Sequence, residues 1–205
     1  MSDEPSNPAA ELQERLAESR PDPGAIAGLL DALDSEARIA AIRSLGRTEQ
    51  RALYRAVEGF RPVTLTDLVP ADAGDFATVR HYGRNTLPAF SLFEKRFTRP
   101  PGEDREKPGE LFGFNFQSMQ PVTGPGYFIA RQDAQRPEVL VDYTRVPETH
   151  PDGWPEIRSN ERGLSRFVYG YMVDTLRGVT KHVTIGSAAR KGRDMGSWFV
   201  LCRES

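Results

Sequence analysis

The sequence predicts an α+β domain: N-terminal helices packed with a mainly antiparallel sheet of about five strands, and one inserted helix. Three observations carry this reading. Residues 24–59 space their apolar side chains at helical intervals. The stretches 111–145 and 179–203 alternate apolar and polar residues as strands do. Those strands follow one another through short turns and not through helical crossovers, which favours antiparallel pairing.

The segment 1–23 is acidic and Pro-rich, and the string Arg20-Pro-Asp-Pro-Gly24 stops any helix begun at Glu11. It reads as a mobile arm preceding a single domain over 24–205. In the helical subregion 24–60, Ile26, Leu29, Leu30 and Leu33 form one stripe, and Ile39, Ile42 and Leu45 form a second behind a cap at Asp34 or Ser35. A third stripe, Leu53, Tyr54 and Val57, follows a stop at Gly46. Residues 60–82 are broken by Pro62, Pro70 and Gly74. The remaining region, 84–205, combines a helix with the sheet. The helix is expected over Thr86–Phe97, because Phe90, Phe93 and Phe97 follow three-to-four spacing.

The hairpin Leu111–Arg131 shows the clearest strand pattern. Phe112, Phe114 and Phe116 fall on one side, opposite Gly113, Asn115 and Gln117. The phenylalanine side is expected to face the core. A third strand covers Glu138–Arg145, and a loop rich in proline and containing Trp154 covers 147–163. Residues 164–177 fit both periods. The helical template accounts for more of them and ends at Gly178, so an inserted helix is expected there. Strands over Val179–Ala188 and Ser197–Arg203 complete the sheet.

Composition excludes several function classes. A chain of 205 residues with 38% hydrophobic residues builds one ordinary core, and a net charge of -2 supplies no global positive field for nucleic acid or an acidic membrane. A single cysteine, Cys202, forms no internal disulfide, which fits a reducing compartment. The start of the chain is acidic and lacks an apolar leader, and no apolar run reaches membrane-spanning length, so a cytoplasmic location is expected. His81, His150 and His182 lie far apart without metal-ligand spacing, and the turn Thr123-Gly-Pro-Gly126 lacks the lysine and helix of a phosphate loop. Neither a metal nor a nucleotide cofactor is expected.

Candidate site residues come from the polar sheet face and the loop beside it. Asn115, Gln117, Asp142, Thr144 and His182 lie opposite their strands' apolar sides. A concave face of that kind binds a ligand by hydrogen bonds, and an ordinary solvated face is the simpler alternative. Arg145, Arg162 and Arg166 suit an anion, although surface pairing with nearby carboxylates such as Glu148, Asp152, Glu156 and Glu161 is the simpler explanation. Trp154 and Tyr171 suit an aromatic wall, or plain loop anchoring. The expected function is therefore a small-ligand or partner-binding domain, with a small anionic or aromatic ligand. The alternative is a cofactor-independent enzyme in which His182, with Asp142 or Tyr143, moves protons on an anionic substrate held by arginine. A third reading, assembly through an exposed hairpin edge, leaves the oligomeric state open.

Overall fold

The computed structural model describes residues 7–88, 90–117, 124–161 and 163–204. Four helices open the chain: α1 (Pro8–Ala17), α2 (Pro23–Asp31), α3 (Ser35–Ser44) and α4 (Arg47–Ala56). Side chains cap the first three. Asn7 accepts from Ala9 N and Ala10 N, Asp22 from Gly24 N and Ala25 N, and Asp34 from Ala37 N. Pro8 and Pro23 occupy the first helical positions, where a missing N–H costs nothing. The segment expected as a mobile arm thus contains a capped helix, and its Leu12 and Leu16 are buried against α3 and α4.

The sheet corrects the expected fold class. Eight antiparallel strands run in chain order and close on themselves: β1 (Val79–Asn85), β2 (Leu92–Thr98), β3 (Leu111–Phe116), β4 (Phe128–Gln132), β5 (Val139–Asp142), β6 (Met172–Gly178), β7 (Val183–Arg190) and β8 (Arg193–Arg203). Closure comes from β1 pairing with β8, with Tyr82 opposite Cys202. The fold is a closed barrel with helices outside it, not an α+β arrangement around a five-stranded sheet. The exposed edge on which the assembly reading relied is paired.

Two expected helices are strands. Leu92–Thr98 is β2, and Phe90 precedes it with φ 54, a left-handed conformation that no right-handed helix contains. Residues 164–177 hold one short turn of helix, α6 (Ser165–Val168), and then enter β6. The broken stretch 60–82 supplies β1 and a short helix, α5 (Leu65–Leu68), whose Thr64 and Asp67 form a capping box.

The two faces of the barrel bury different things. Phe93, Phe97, Leu111, Phe128, Val139, Val141, Leu176, Phe199 and Leu201 point inward and pack with Val63, Leu65, Leu68 and Val69, which close one end. Arg99, wholly buried, ties that closure down through the carbonyls of Pro70 and Ala73. Outward, Val183, Ile185, Val200 and Cys202 pack on α1–α4. Burial there pushes the Cys202 thiol up to about 11, so it is an inert core group. The phenylalanine side of β3 also faces outward. Phe114 packs with Tyr127 and Trp154 under the long loop, and Phe116 is 43% exposed beneath the Arg96 guanidinium. The expected orientation of this strand is therefore reversed. Its polar side, Gly113 and Asn115, lines the barrel.

Glycines make room for the aromatic interior. A Cβ on Gly186 would sit 2.2 Å from the Phe199 ring, and one on Gly113 would sit 2.3 Å from the Phe128 ring. Gly186→Ala is expected to destabilise the fold by about 1–3 kcal/mol through overpacking. Gly28→Ala, on α2 with nothing within 4 Å, is expected to stabilise it by about 0.5–1 kcal/mol. Urea unfolding midpoints measure both, and equal effects at the two sites would refute the inward crowding.

His81 also points inward, near the closed end. Its Nε2 donates to the Leu68 carbonyl at 2.9 Å, and its ring meets Phe97 edge-on at 4.8 Å. Burial, reinforced by the charges of Arg203 and Lys95, lowers its pKa to about 3. The unfolded chain takes up this proton near 6.5 and the folded chain only near 3. The contribution is therefore complete above 6.5 and is lost as the pH falls through that window, on the order of 5 kcal/mol in all. His81→Leu should flatten the fall in stability between those pH values, as read by denaturant midpoints against pH.

Candidate functional site

Strand register builds the site. Inward positions on β2 are Phe93, Lys95 and Phe97, and Lys95 lies directly opposite Asn115 on β3. Inward positions on β6 are Met172, Asp174 and Leu176, with Asp174 flanked by Val141 of β5 and Ala188 of β7. Lys95 and Asp174 thus sit on opposite walls, and the long lysine side chain crosses the lumen to join them.

Lys95 Nζ lies 3.3 Å from Asp174 Oδ2 and donates to Asn115 Oδ1 at 3.1 Å and to the Tyr143 hydroxyl. Asn115 Nδ2 donates to the same hydroxyl at 3.0 Å and to the Gly126 carbonyl at 3.3 Å. Gln117 Nε2 donates to the Tyr169 hydroxyl at 2.8 Å, and the Tyr143 and Tyr169 rings stack at 5.4 Å. Both charged side chains are almost wholly shielded, at 2% and 3% exposure. Four rings surround the lysine nitrogen: those of Phe199, Tyr143, Phe128 and Phe93 have centroids 4.8, 4.9, 5.0 and 6.0 Å away.

Electrostatics follow from this dryness. Burial lowers the Lys95 pKa, against the attraction of Asp174. It raises the Asp174 pKa, against the attraction of Lys95, and holds the Tyr143 hydroxyl well above its ordinary value. Both members of the pair are therefore displaced toward their neutral forms. Among the described residues, Asp174 Oδ1 is buried without a hydrogen-bond partner.

This cluster floors a cavity of about 140 Å³ at the end of the barrel opposite α5. Phe93, Val168, Met172, Ala188 and Phe199 contribute apolar wall, and Leu87 and Met195 stand at the opening. Among the described residues the exposed large apolar side chains gather at this same end, with Phe90, Phe116, Phe167 and Tyr171 beside them. Phe60 stands apart.

Of the residues expected from sequence, the structure brings Asn115, Gln117 and Tyr143 into this cavity. It does not bring His182 and Asp142 together. Asp142 lies on the outside of β5, aligned through Val173 with Ala189 near the open end, and its Oδ1 accepts from Thr144 N and Oγ1. His182 lies in the connection before β7, at the opposite end of that strand, and burial lowers its pKa. Arg145 pairs with Glu110 at 3.0 Å on the outer surface, and Arg166 is exposed on α6. Trp154 anchors the long loop, donating to Thr78 Oγ1 at 2.8 Å, and Tyr171 carries Lys191 over its ring at 4.7 Å at the rim. Arg162 lies outside the described residues, as do Val122 and Thr123 of the glycine turn.

Sequence reasoning missed Lys95 and Asp174, which dominate the cavity. A signal was present: each is a charged residue flanked two positions away on both sides by apolar ones, Phe93 and Phe97 or Met172 and Leu176. In a strand, that pattern places a charge among inward apolar side chains. Comparison with protein-family models, curated proteins and solved structures found no match.

A buried ion pair is held by mutual need and not by net gain. Lys95→Met or Asp174→Leu alone strands one charge and is expected to destabilise the protein by about 3–5 kcal/mol, whereas the double variant is expected to be near neutral. A double-mutant cycle from chemical denaturation measures this. Additive losses would show that the pair does not act as a unit.

Proposed function

We propose that the protein binds a small, mainly apolar or aromatic molecule inside the barrel, with one neutral polar group of the ligand placed against Asp174 and Lys95. The observation that carries this is the Asp174 Oδ1 atom, buried and without a hydrogen-bond partner among the described residues, on a side chain that lines the cavity. Leaving such an atom unmatched costs about 1–3 kcal/mol, more for a charged group, and a ligand group at hydrogen-bond distance recovers it.

Cavity size supports a one-ring ligand. A volume of about 140 Å³ compares with the roughly 150 Å³ of an apolar cavity that accommodates benzene. Eight-stranded barrels have interiors of a size that side chains fill or that hold one small ligand. Charge supports a neutral polar group. The Lys95 ammonium is already matched by Asp174, so the floor of the cavity offers an anion no unpaired positive charge. A carboxyl accepts from a hydroxyl when ionised and donates to a carbonyl when protonated, so both groups suit it. The apolar rim gives such a molecule a surface to meet first.

Benzyl alcohol is expected to raise the melting temperature in a saturable manner, and benzoate is not. At one hundred times its dissociation constant a ligand adds about 2.7 kcal/mol to stability. Ala188→Phe, which fills the cavity from β7, should abolish the shift. No shift with benzyl alcohol, or an equal shift in the filled variant, would overturn the cavity as the binding site.

A further inference from the structure

We infer that Lys95 is a carbonyl-reactive amine, and that the barrel takes up a small aldehyde or ketone by condensing it with Lys95 Nζ to form an iminium ion. This rests on the cavity reading above and names the reactive group of the ligand.

The sequence contains four lysines, Lys95, Lys107, Lys181 and Lys191, and Lys95 alone lies inside the barrel. Its side chain lines the cavity, and the groups facing the nitrogen are few. Asp174 Oδ2 lies at 3.3 Å, Asn115 Oδ1 at 3.1 Å and the Tyr143 hydroxyl within hydrogen-bond distance, inside four aromatic rings. An ammonium ion has no lone pair and does not attack carbon. A dry site shifts the lysine toward free amine and the aspartate toward carboxylic acid, so one proton passing from Nζ to the carboxylate creates a nucleophile and a proton donor side by side. Asp174 Oδ1, which has no hydrogen-bond partner among the described residues, belongs to a side chain that lines the cavity.

The chemistry balances with these groups alone. After that proton transfer the Nζ lone pair forms a bond to the carbonyl carbon, and the C=O π pair moves to oxygen, which takes the proton from Asp174. The nitrogen, now positive, returns a proton to the Asp174 carboxylate. The carbinolamine oxygen receives it and leaves as water while the nitrogen lone pair forms the C=N bond. The product is an iminium that retains one N–H and the positive charge, with Asp174 again a carboxylate. One C=N bond forms, one C=O bond is lost and one water departs. Neither oxidant nor reductant is consumed. The four rings and the carboxylate that surround the ammonium then surround a cation of the same charge.

Benzaldehyde with cyanoborohydride tests this, because the reductant traps an iminium as a stable benzylamine. Peptide mass spectrometry of the folded protein at neutral pH is expected to find the benzyl group on Lys95 in preference to Lys107, Lys181 and Lys191, because burial shifts Lys95 toward the free amine beside the cavity. In urea the four lysines should label alike. Asp174→Asn, which retains the side-chain shape without an exchangeable carboxyl proton, should slow Lys95 labelling by about a hundredfold or more. Benzyl alcohol, which binds without reacting, separates the two readings. If it raises the melting temperature while benzaldehyde labels only exposed lysines, the condensation is refuted and binding stands. If it gives no shift and Lys95 stays unlabelled, both are refuted.

Discussion

The barrel is organised around one ion pair that crosses its lumen. Lys95 on β2 and Asp174 on β6 meet at 3.3 Å at almost complete burial, in a space otherwise filled by phenylalanine, tyrosine, valine and leucine. Removing both charges from water costs more than their mutual attraction readily returns, so such a pair persists only with help. The help is visible: Asn115 and the Tyr143 hydroxyl take the remaining lysine protons, and Asn115 is fixed in turn by the Gly126 carbonyl. Closure of the sheet is what keeps this network dry. An open five-stranded sheet would expose the same residues to water and leave them ordinary polar side chains.

That same pair explains what was legible in the sequence. Residues whose strands alternate cleanly, Leu111–Phe116, Val139–Asp142 and the apolar end of β8, read as strands and are strands. The helices of residues 24–59 were equally plain, because their stripes and the Asp34 cap agree. Failure fell at β1, in the stretch broken by proline and glycine, and at β2 and β6, the two strands that carry the charges. With Lys95 at an inward position, Phe90, Phe93 and Phe97 no longer alternate in the composition and instead fit three-to-four spacing. With Asp174 at another, the apolar residues of 164–176 fit helical spacing as well. A charge placed in a core removes the periodicity that would have revealed the strand.

The reversal of β3 has a related cause. Alternation identifies two faces of a strand but not which one is inside, and the more apolar face is the default choice. Here both faces are covered. Phe112, Phe114 and Phe116 lie outside, where the loop carrying Trp154 shelters Phe114 and Arg96 stacks on Phe116. Asn115 lies inside because Lys95 lies opposite it in the register. Of the polar face expected from the sequence, the side of β3 carrying Asn115 lies in the interior, and Asn115 and Gln117 border the cavity. His182 and Asp142 were grouped with them by alternation alone, and alternation carries no information about which end of a barrel a residue occupies.

Unsatisfied buried atoms also occur at the closed end, where His81 Nδ1 and Arg203 Nε lack partners among the described residues. The two ends differ in what lies beside the unmatched atom. His81 donates through Nε2 to the Leu68 carbonyl, its ring is held neutral, and it is packed against Phe97, away from the cavity lining. Asp174 Oδ1 belongs to a side chain that borders an opening of molecular size, next to an amine displaced toward its reactive form. Both ends carry the penalty of unmatched polarity, and at the open end a cavity lined by Lys95 and Asp174 lies beside it. The asymmetry between the plugged and the open end, more than the presence of charge, assigns the lumen beside Lys95 as the place where chemistry is to be sought.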